Sequence, residues 1–247
     1  MKRIFLLGFL YLSCFIVLLN GQTLEIVTSD YPPYNFQEDS SIKGLGTEIV
    51  QATLKEAGLS GEISLMPWSR AYAIAQDKPN VIIYSMIRTT EREHKFKWIG
   101  EIAPNKVFFY TSCIKEVKVN SINDARKYRI GVIQDDFRET FFLKNNFILD
   151  KQLIRSYSNE INVIHLINGK LDLVPENEYI MNYYLKKNNI SNKKIKKISQ
   201  IEELSQKGFY FALSNSTSDE VHKKLVTAYN SIKKKGIYKS IYKKYFG

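Results

Sequence analysis

Apolar and polar positions along the chain fall into short alternating runs separated by helical spacings. Leu24-Glu25-Ile26-Val27-Thr28 alternates and is rich in β-branched residues, so it predicts a strand. It runs into Ser29-Asp30-Tyr31-Pro32-Pro33-Tyr34, where two prolines stop the strand and fix a loop. Residues 44–58 predict a helix with Thr47 near its start, an apolar stripe of Ile49, Val50, Thr53, Leu54 and Ala57, and Gly58 as its stop. A strand over 62–66, a short helix over 69–76 and a strand over 80–85 follow. This β-α-β-α-β order argues for a parallel sheet with helical crossovers, an α/β fold. After a further apolar strand at 106–112 the pattern restarts. Ser121-Ile122-Asn123-Asp124 reads as a capped short helix, 129–134 as a new first strand, and segments 137–144, 159–168, 171–175 (strand) and 176–187 (helix) alternate after it. One more strand at 208–214, a long amphipathic helix at 217–235 and a Tyr/Lys-rich helix at 238–246 end the chain. The restart predicts a second lobe.

The first residues change the picture. Lys2 and Arg3 precede an unbroken apolar run to Leu19, followed by small and polar residues, the layout of a cleaved secretory signal peptide. The run is shorter than the ~20 apolar residues of a membrane span, and no basic stop-transfer cluster follows. Cleavage near Gly21 and a periplasmic location are expected. Tyr11-Leu12-Ser13 is a poor context for lipid attachment at Cys14. Removal of residues 1–21 leaves Cys113 as the one cysteine, so the exported chain has no internal disulfide and must be held by its core. The net charge of +11 sits mainly in 186–197 and 223–244. In the latter, lysines spread around helices whose Leu225, Tyr229, Ile232 and Ile237 recur at apolar spacing, so a solvated face explains them better than nucleic acid does.

Candidate chemistry concentrates at two strand ends. Met66-Pro67-Trp68-Ser69-Arg70-Ala71 is answered by Ser85-Met86-Ile87-Arg88-Thr89-Thr90-Glu91-Arg92. Strand ends of open α/β sheets are where such folds bind small ligands. An indole supplies a flat apolar wall, and a guanidinium supplies a donor fork that matches a carboxylate. A core Trp beside solvated arginines would account for the same residues. No nucleophile–base pair, phosphate loop or metal cluster stands out, and His94, His165 and His222 are isolated. No catalytic residue, metal or cofactor is expected.

Here the chain resembles the family 3 bacterial extracellular solute-binding proteins, periplasmic receptors that feed polar amino acids to ABC importers. The first strand with Tyr31-Pro32-Pro33-Tyr34-Asn35-Phe36 resembles that family's first strand and aromatic loop. Gly44-Leu45-Gly46-Thr47-Glu48-Ile49-Val50 resembles its first helix start, with Glu48 near the usual Asp. Arg88-Thr89-Thr90-Glu91-Arg92 resembles its T-x-x-R turn, Ile130-Gly131-Val132 the opening of its second lobe, and Gly169-Lys170-Leu171-Asp172-Leu173-Val174 its G-(K/R)-x-D-(A)-V strand. The ending, from Lys235-Gly236-Ile237-Tyr238 to Lys244-Tyr245-Phe246-Gly247, resembles its tail. The resemblance implies a two-lobed periplasmic-binding-protein fold of type II, with 22–112 and 209–247 as lobe 1 and 113–208 as lobe 2. Crossover strands would lie near 110–112 and 209–211. It implies a monomer that closes on a small ligand and delivers it to an ABC permease. Tyr31, with Tyr34 beside it in the aromatic loop, and Trp68 would sandwich the ligand. Arg92 would pair with its α-carboxylate, assisted near Ser85, while Arg70 and Arg88 supply further cations.

The chain departs from that pattern. Ile87 replaces a hydroxyl residue before the turn. Gln134-Asp135-Asp136-Phe137-Arg138 stands where the family has a G-T-T anion nest, and carries two acids instead. The carboxylate that receives an α-ammonium falls at or beside Asn177, which has no charge; Glu176 restores the partner if it turns inward and not if it turns to solvent. Two arginines without a nearby acid would leave excess buried charge, which favours the inward arrangement. Two other functions fit the same scaffold: a dehydratase-like lyase with Glu176 as acid/base, and a ligand-sensing adaptor for a membrane receptor.

Overall fold

The structure, a computed structural model, describes residues 23–246; the expected leader, 1–21, lies outside the described residues. In chain order it forms β1 (Leu24–Thr28), a hairpin of β2 (Phe36–Glu38) and β3 (Ser41–Lys43), α1 (Leu45–Ala57), β4 (Gly61–Leu65), α2 (Trp68–Asp77), β5 (Val81–Ile87), β6 (Phe96–Ala103) and β7 (Val107–Ser112). Then come β8 (Ile130–Ile133), α3 (Phe137–Lys144), β9 (Leu153–Ser156), α4 (Asn159–Ile167), β10 (Val174–Asn177), α5 (Glu178–Lys187) and β11 (Ile195–Gln200). The chain closes with α6 (Glu202–Ser205), β12 (Phe209–Ser214), α7 (Asp219–Lys234) and α8 (Ile237–Phe246). No helix of the described residues is long and apolar enough to cross a membrane.

The fold is α/β with two lobes, each built on its own sheet. The first sheet has the order β4-β1-β5-β12-β6, parallel through β4, β1 and β5, with β12 antiparallel to both its neighbours. Ile26, Val27, Ile82 and Ile83 are buried at its centre. The α1 stripe of Ile49, Val50, Thr53, Leu54 and Ala57 is buried as its spacing predicts, and Gly58 closes the helix at φ 60°. Gly44 starts it at φ 124°, where an added Cβ would come within 2.3 Å of the Tyr34 carbonyl oxygen, so only glycine fits. The C-terminal helices pack on this lobe: Tyr245 donates to Glu48 at 2.5 Å, and Ser231 and Lys235 reach Glu56. The lysines at 223, 224, 233, 234 and 235 are exposed, as a solvated helix face requires.

The second lobe has antiparallel β10-β7-β11, extended by parallel β8-β9 through the Ile130–Leu173 bridge. Residues 107–112, expected in the first lobe, pair here instead. The chain therefore crosses between Ala103 and Val107, ahead of the 110–112 crossover expected from sequence, and returns between Gln200 and Phe209. Pro104 ends β6, and the two crossings lie side by side, with Ile201 N–H donating to the Val107 carbonyl at 2.8 Å and Asn105 Nδ2 to the Leu204 carbonyl at 3.3 Å. Strand β11 was hidden in a lysine run. It is an edge strand whose Lys196 and Lys197 are exposed, a common protection of unpaired edges.

Candidate functional site

A cavity of about 280 Å³ lies between the lobes, its walls including Tyr31, Trp68, Ser85 and Arg92 from the first and Asp136 and Arg138 from the second. The helices α2, α3 and α4 all begin at this wall, with Trp68, Phe137 and Asn159 as their first residues. Helix N-termini carry partial positive charge and favour an anion. Ser85 sits in a β-bulge: Tyr210 pairs with Met86 and Phe211 with Tyr84, leaving Ser85 out of register at φ 57°. Its hydroxyl is buried and has no hydrogen-bond partner among the described residues. The bulge turns the end of β5 towards the cavity.

Arg92 is 5% exposed and carries the most informative charge. It donates Nη1 to the Ile87 carbonyl and Nη2 to the Asp135 carbonyl, both at 3.2 Å, and its guanidinium lies 5.4 Å from the Trp68 ring centroid and 5.0 Å from that of Tyr72. Among the described residues it forms no ion pair. Burial accordingly pushes its pKa down from the usual arginine value. Trp68 Nε1 donates to the same Asp135 carbonyl at 2.9 Å, so the indole and the guanidinium are fixed by one acceptor of the opposite lobe.

Tyr31 stacks at 5.9 Å on Tyr34 and meets Phe209 edge-on at 5.4 Å. Burial and the neighbouring Glu176 push its phenol pKa up, so the hydroxyl stays a donor; it lies 3.4 Å from Glu176 Oε1. Tyr34 is fully buried behind Tyr31, packed on Phe209 at 4.6 Å, and does not line the cavity. It supports the wall rather than forming it.

Other sequence-selected residues lie elsewhere. Arg88, expected to face the ligand, pairs with Glu93 and stacks between Trp98 (5.2 Å) and Tyr210 (5.7 Å). It lines a second cavity of about 390 Å³ on the far side of Arg92, not the first. Arg70 is exposed on α2 and Gln134 is exposed before α3; neither lines the cavity. Asn177 is buried as the N-cap of α5, accepting from Tyr179 N–H at 2.9 Å and donating to Asn105 at 3.0 Å. An amide serves that cap as well as a carboxylate would, and Asn177 does not line the cavity either.

Glu176 turns inward and is 1% exposed, but its carboxylate is already committed. Oε2 accepts from Arg138 Nη1 at 2.6 Å and Oε1 from Asn177 N–H at 2.8 Å. Desolvation pushes its pKa up, and Arg138 opposes that shift. Arg138, 3% exposed, is the residue that single-sequence reading missed. It pairs at once with Asp136 (Nε–Oδ1 2.7 Å) and Glu176, donates to Asn159 Oδ1 at 3.1 Å, and lies 6.0 Å from the Tyr31 ring centroid. Its signal in the sequence was the acid two residues earlier, Asp136, which reads as a helix cap followed by its own counter-ion. Further contacts join the lobes: Tyr184 donates to Asp30 at 3.0 Å, and Lys144 pairs with Glu91 at the second cavity. Asp30 also lines the wall of the first.

Comparison with known proteins places this geometry. Residues 24–247 match the bacterial extracellular solute-binding proteins, family 3. A protein of Escherichia coli (strain K12) whose name assigns it to an arginine-binding ABC transporter is 22% identical over 234 residues, covering 92% of this chain and 91% of its own. Among solved structures, an ancestral arginine-binding protein bound to arginine superposes with a TM-score of 0.79 at 20% identity, over 91% of this chain and 98% of that one. A histidine kinase sensor domain with similarity to periplasmic binding proteins superposes with a TM-score of 0.79 at 15% identity, over 92% of this chain and 96% of that one.

Proposed function

The chain belongs to the bacterial extracellular solute-binding proteins of family 3, and we propose that it is an exported receptor which captures a small polar carboxylate, an amino acid or a close relative, between its lobes and delivers it to an ABC importer. One observation carries this reading: Arg92 is buried in the cavity wall and forms no ion pair among the described residues. A buried unpaired charge is costly unless a counter-ion arrives, and a carboxylate held by the guanidinium fork is the matching group. Trp68 and Tyr31 supply flat apolar walls on either side, and the N-termini of α2, α3 and α4 add favourable field for the anion. The importer is favoured by the name of the Escherichia coli relative. The family and the N-terminal pattern support export.

A thermal-shift screen against amino acids, small carboxylates and amines tests the reading, since a ligand that binds only the folded state raises stability by RT ln(1 + [L]/Kd). Carboxylates are expected among the hits, and Arg92→Ala is expected to abolish their shifts. Hits confined to amines, or shifts indifferent to Arg92, would overturn it. The likeness to a kinase sensor domain favours one second reading, in which the same captured solute is reported to a membrane receptor instead of being imported. Pull-down with the permease against pull-down with a membrane kinase separates the two.

A further inference from the structure

The acid expected to receive a ligand's ammonium is absent from the cavity wall. Asn177 is consumed as a helix cap, and Glu176 lies behind Arg138 with both oxygens engaged. The second lobe nonetheless presents an acid at a different place. Asp136, the N-cap of α3, lines the cavity. Its Oδ1 accepts from the Arg138 backbone N–H at 2.8 Å and from Arg138 Nε at 2.7 Å, while among the described residues Oδ2 accepts only from Nη2 at 3.2 Å. A carboxylate has about four acceptor sites, so Oδ2 retains one.

Charge counting points the same way. Arg138 carries one positive charge between two carboxylates, Asp136 and Glu176, so this buried cluster holds one surplus negative charge. Arg92 on the facing lobe holds one surplus positive charge. Arg92 and Asp136 line the same cavity, and the Asp135 carbonyl that holds Arg92 belongs to the residue just before Asp136. A ligand that cancels both surpluses carries a carboxylate and an ammonium a short distance apart.

We infer that Asp136 is the ammonium receptor of this site, clamped by Arg138 against Glu176 and standing in for the acid missing at the end of β10. This rests on the carboxylate reading given above and extends it to the ligand's other end. Arg138 and Glu176 are positioning residues: they hold Asp136 on the wall and keep the cluster one charge short of neutral. The dependence on amine charge passes from β10, where Glu176 sits, to the first residue before α3.

Binding of matched pairs by titration calorimetry tests the assignment: L-arginine against 5-guanidinopentanoate, L-phenylalanine against 3-phenylpropanoate, and L-glutamine against 4-carbamoylbutanoate. In the unmodified protein, at least one amino acid is expected to bind about tenfold or more tightly than its deaminated partner, the scale of one charge-assisted hydrogen bond. In Asp136→Asn that ratio is expected to fall to near one, with the affinity of the deaminated partner unchanged or improved. Asparagine preserves the helix cap, so the fold is retained, and circular dichroism checks that it is. Asp30→Asn, which removes the other carboxylate on the wall, is expected to keep the ratio. Equal binding of both members of every pair in the unmodified protein, a ratio untouched by D136N, or a ratio lost in D30N instead, would overturn the assignment while leaving the carboxylate reading standing. Failure of all six probes, and of the wider carboxylate screen, would overturn that reading and this assignment with it.

Discussion

At the scale of single residues, charge without a counter-ion separates function from support. Arg88 and Arg92 stand four apart in one turn, yet Arg88 is neutralised by Glu93 and Arg92 is not paired among the described residues. Removing Arg92 deletes a desolvated partner of the ligand, so Arg92→Ala is expected to weaken binding by about 2–5 kcal/mol. Calorimetry with any carboxylate found by screening measures this, and Arg88→Ala in the same assay is expected to change little. Trp68 offers a finer test. Trp68→Phe keeps an aromatic wall but deletes the 2.9 Å hydrogen bond to the Asp135 carbonyl. A loss of about 0.5–1.5 kcal/mol in binding is expected, the net worth of an ordinary hydrogen bond. A far larger loss would mean that the indole ring, not its N–H, dominates.

At the scale of elements, helix starts and strand ends place the chemistry. The α5 start shows the difference between a site residue and a cap: Asn177 meets Tyr179 N–H and Asn105, and does not line the inter-lobe cavity. Asn177→Ala is therefore expected to lower unfolding stability by about 1–2 kcal/mol, as loss of a cap does, with Asn105 left short of a partner. Ligand affinity measured on the folded variant is expected to match the unmodified protein. Thermal or urea unfolding together with calorimetry checks both halves of that statement. The end of β5 illustrates the other device, since the bulge at Ser85 sets the direction in which the chain leaves the sheet towards Arg92.

At the scale of the whole molecule, the lobes are held by a small set of contacts around the two cavities, among them Lys144–Glu91 and Tyr184–Asp30. Lys144 holds the Glu91 carboxyl down to about 2, below its ordinary value of 4.5. A depressed carboxyl pKa contributes stability that is present above the unfolded-state value and is lost as pH falls through the folded-state one. The contribution of this pair to closure is thus expected to be complete above about pH 4.5 and to fade between there and about pH 2. Small-angle scattering as a function of pH reads the lobe separation, and Glu91→Gln is expected to flatten that acid branch. The pair is partly exposed, so a modest effect that shrinks further in high salt is expected.

What the sequence determined by itself was the order of elements and the family, because both rest on local signals. The α1 stripe, the Gly58 stop, the strand at β1 and the restart at β8 follow from periodicity within a few residues, and the ordered family motifs span 24–247. Less legible were β6, β9 and β11, where a Gly-containing run, a short segment and a lysine tract obscured the alternation of strands held in place by their neighbours. Of the site, Tyr31, Trp68, Ser85 and Arg92 converge on the cavity that the motifs suggested, whereas Tyr34, Arg70, Arg88, Gln134 and Asn177 do not line it. Tertiary structure alone decided which arginine is spent within the protein. Arg88 meets Glu93 nearby, but Arg138 reaches Glu176 across 38 positions, and Arg92 meets a carbonyl 43 positions away. Spacing along a chain carries residue type and periodicity. It does not carry the pairing of charges between elements, and that pairing determines which charge is left for a ligand.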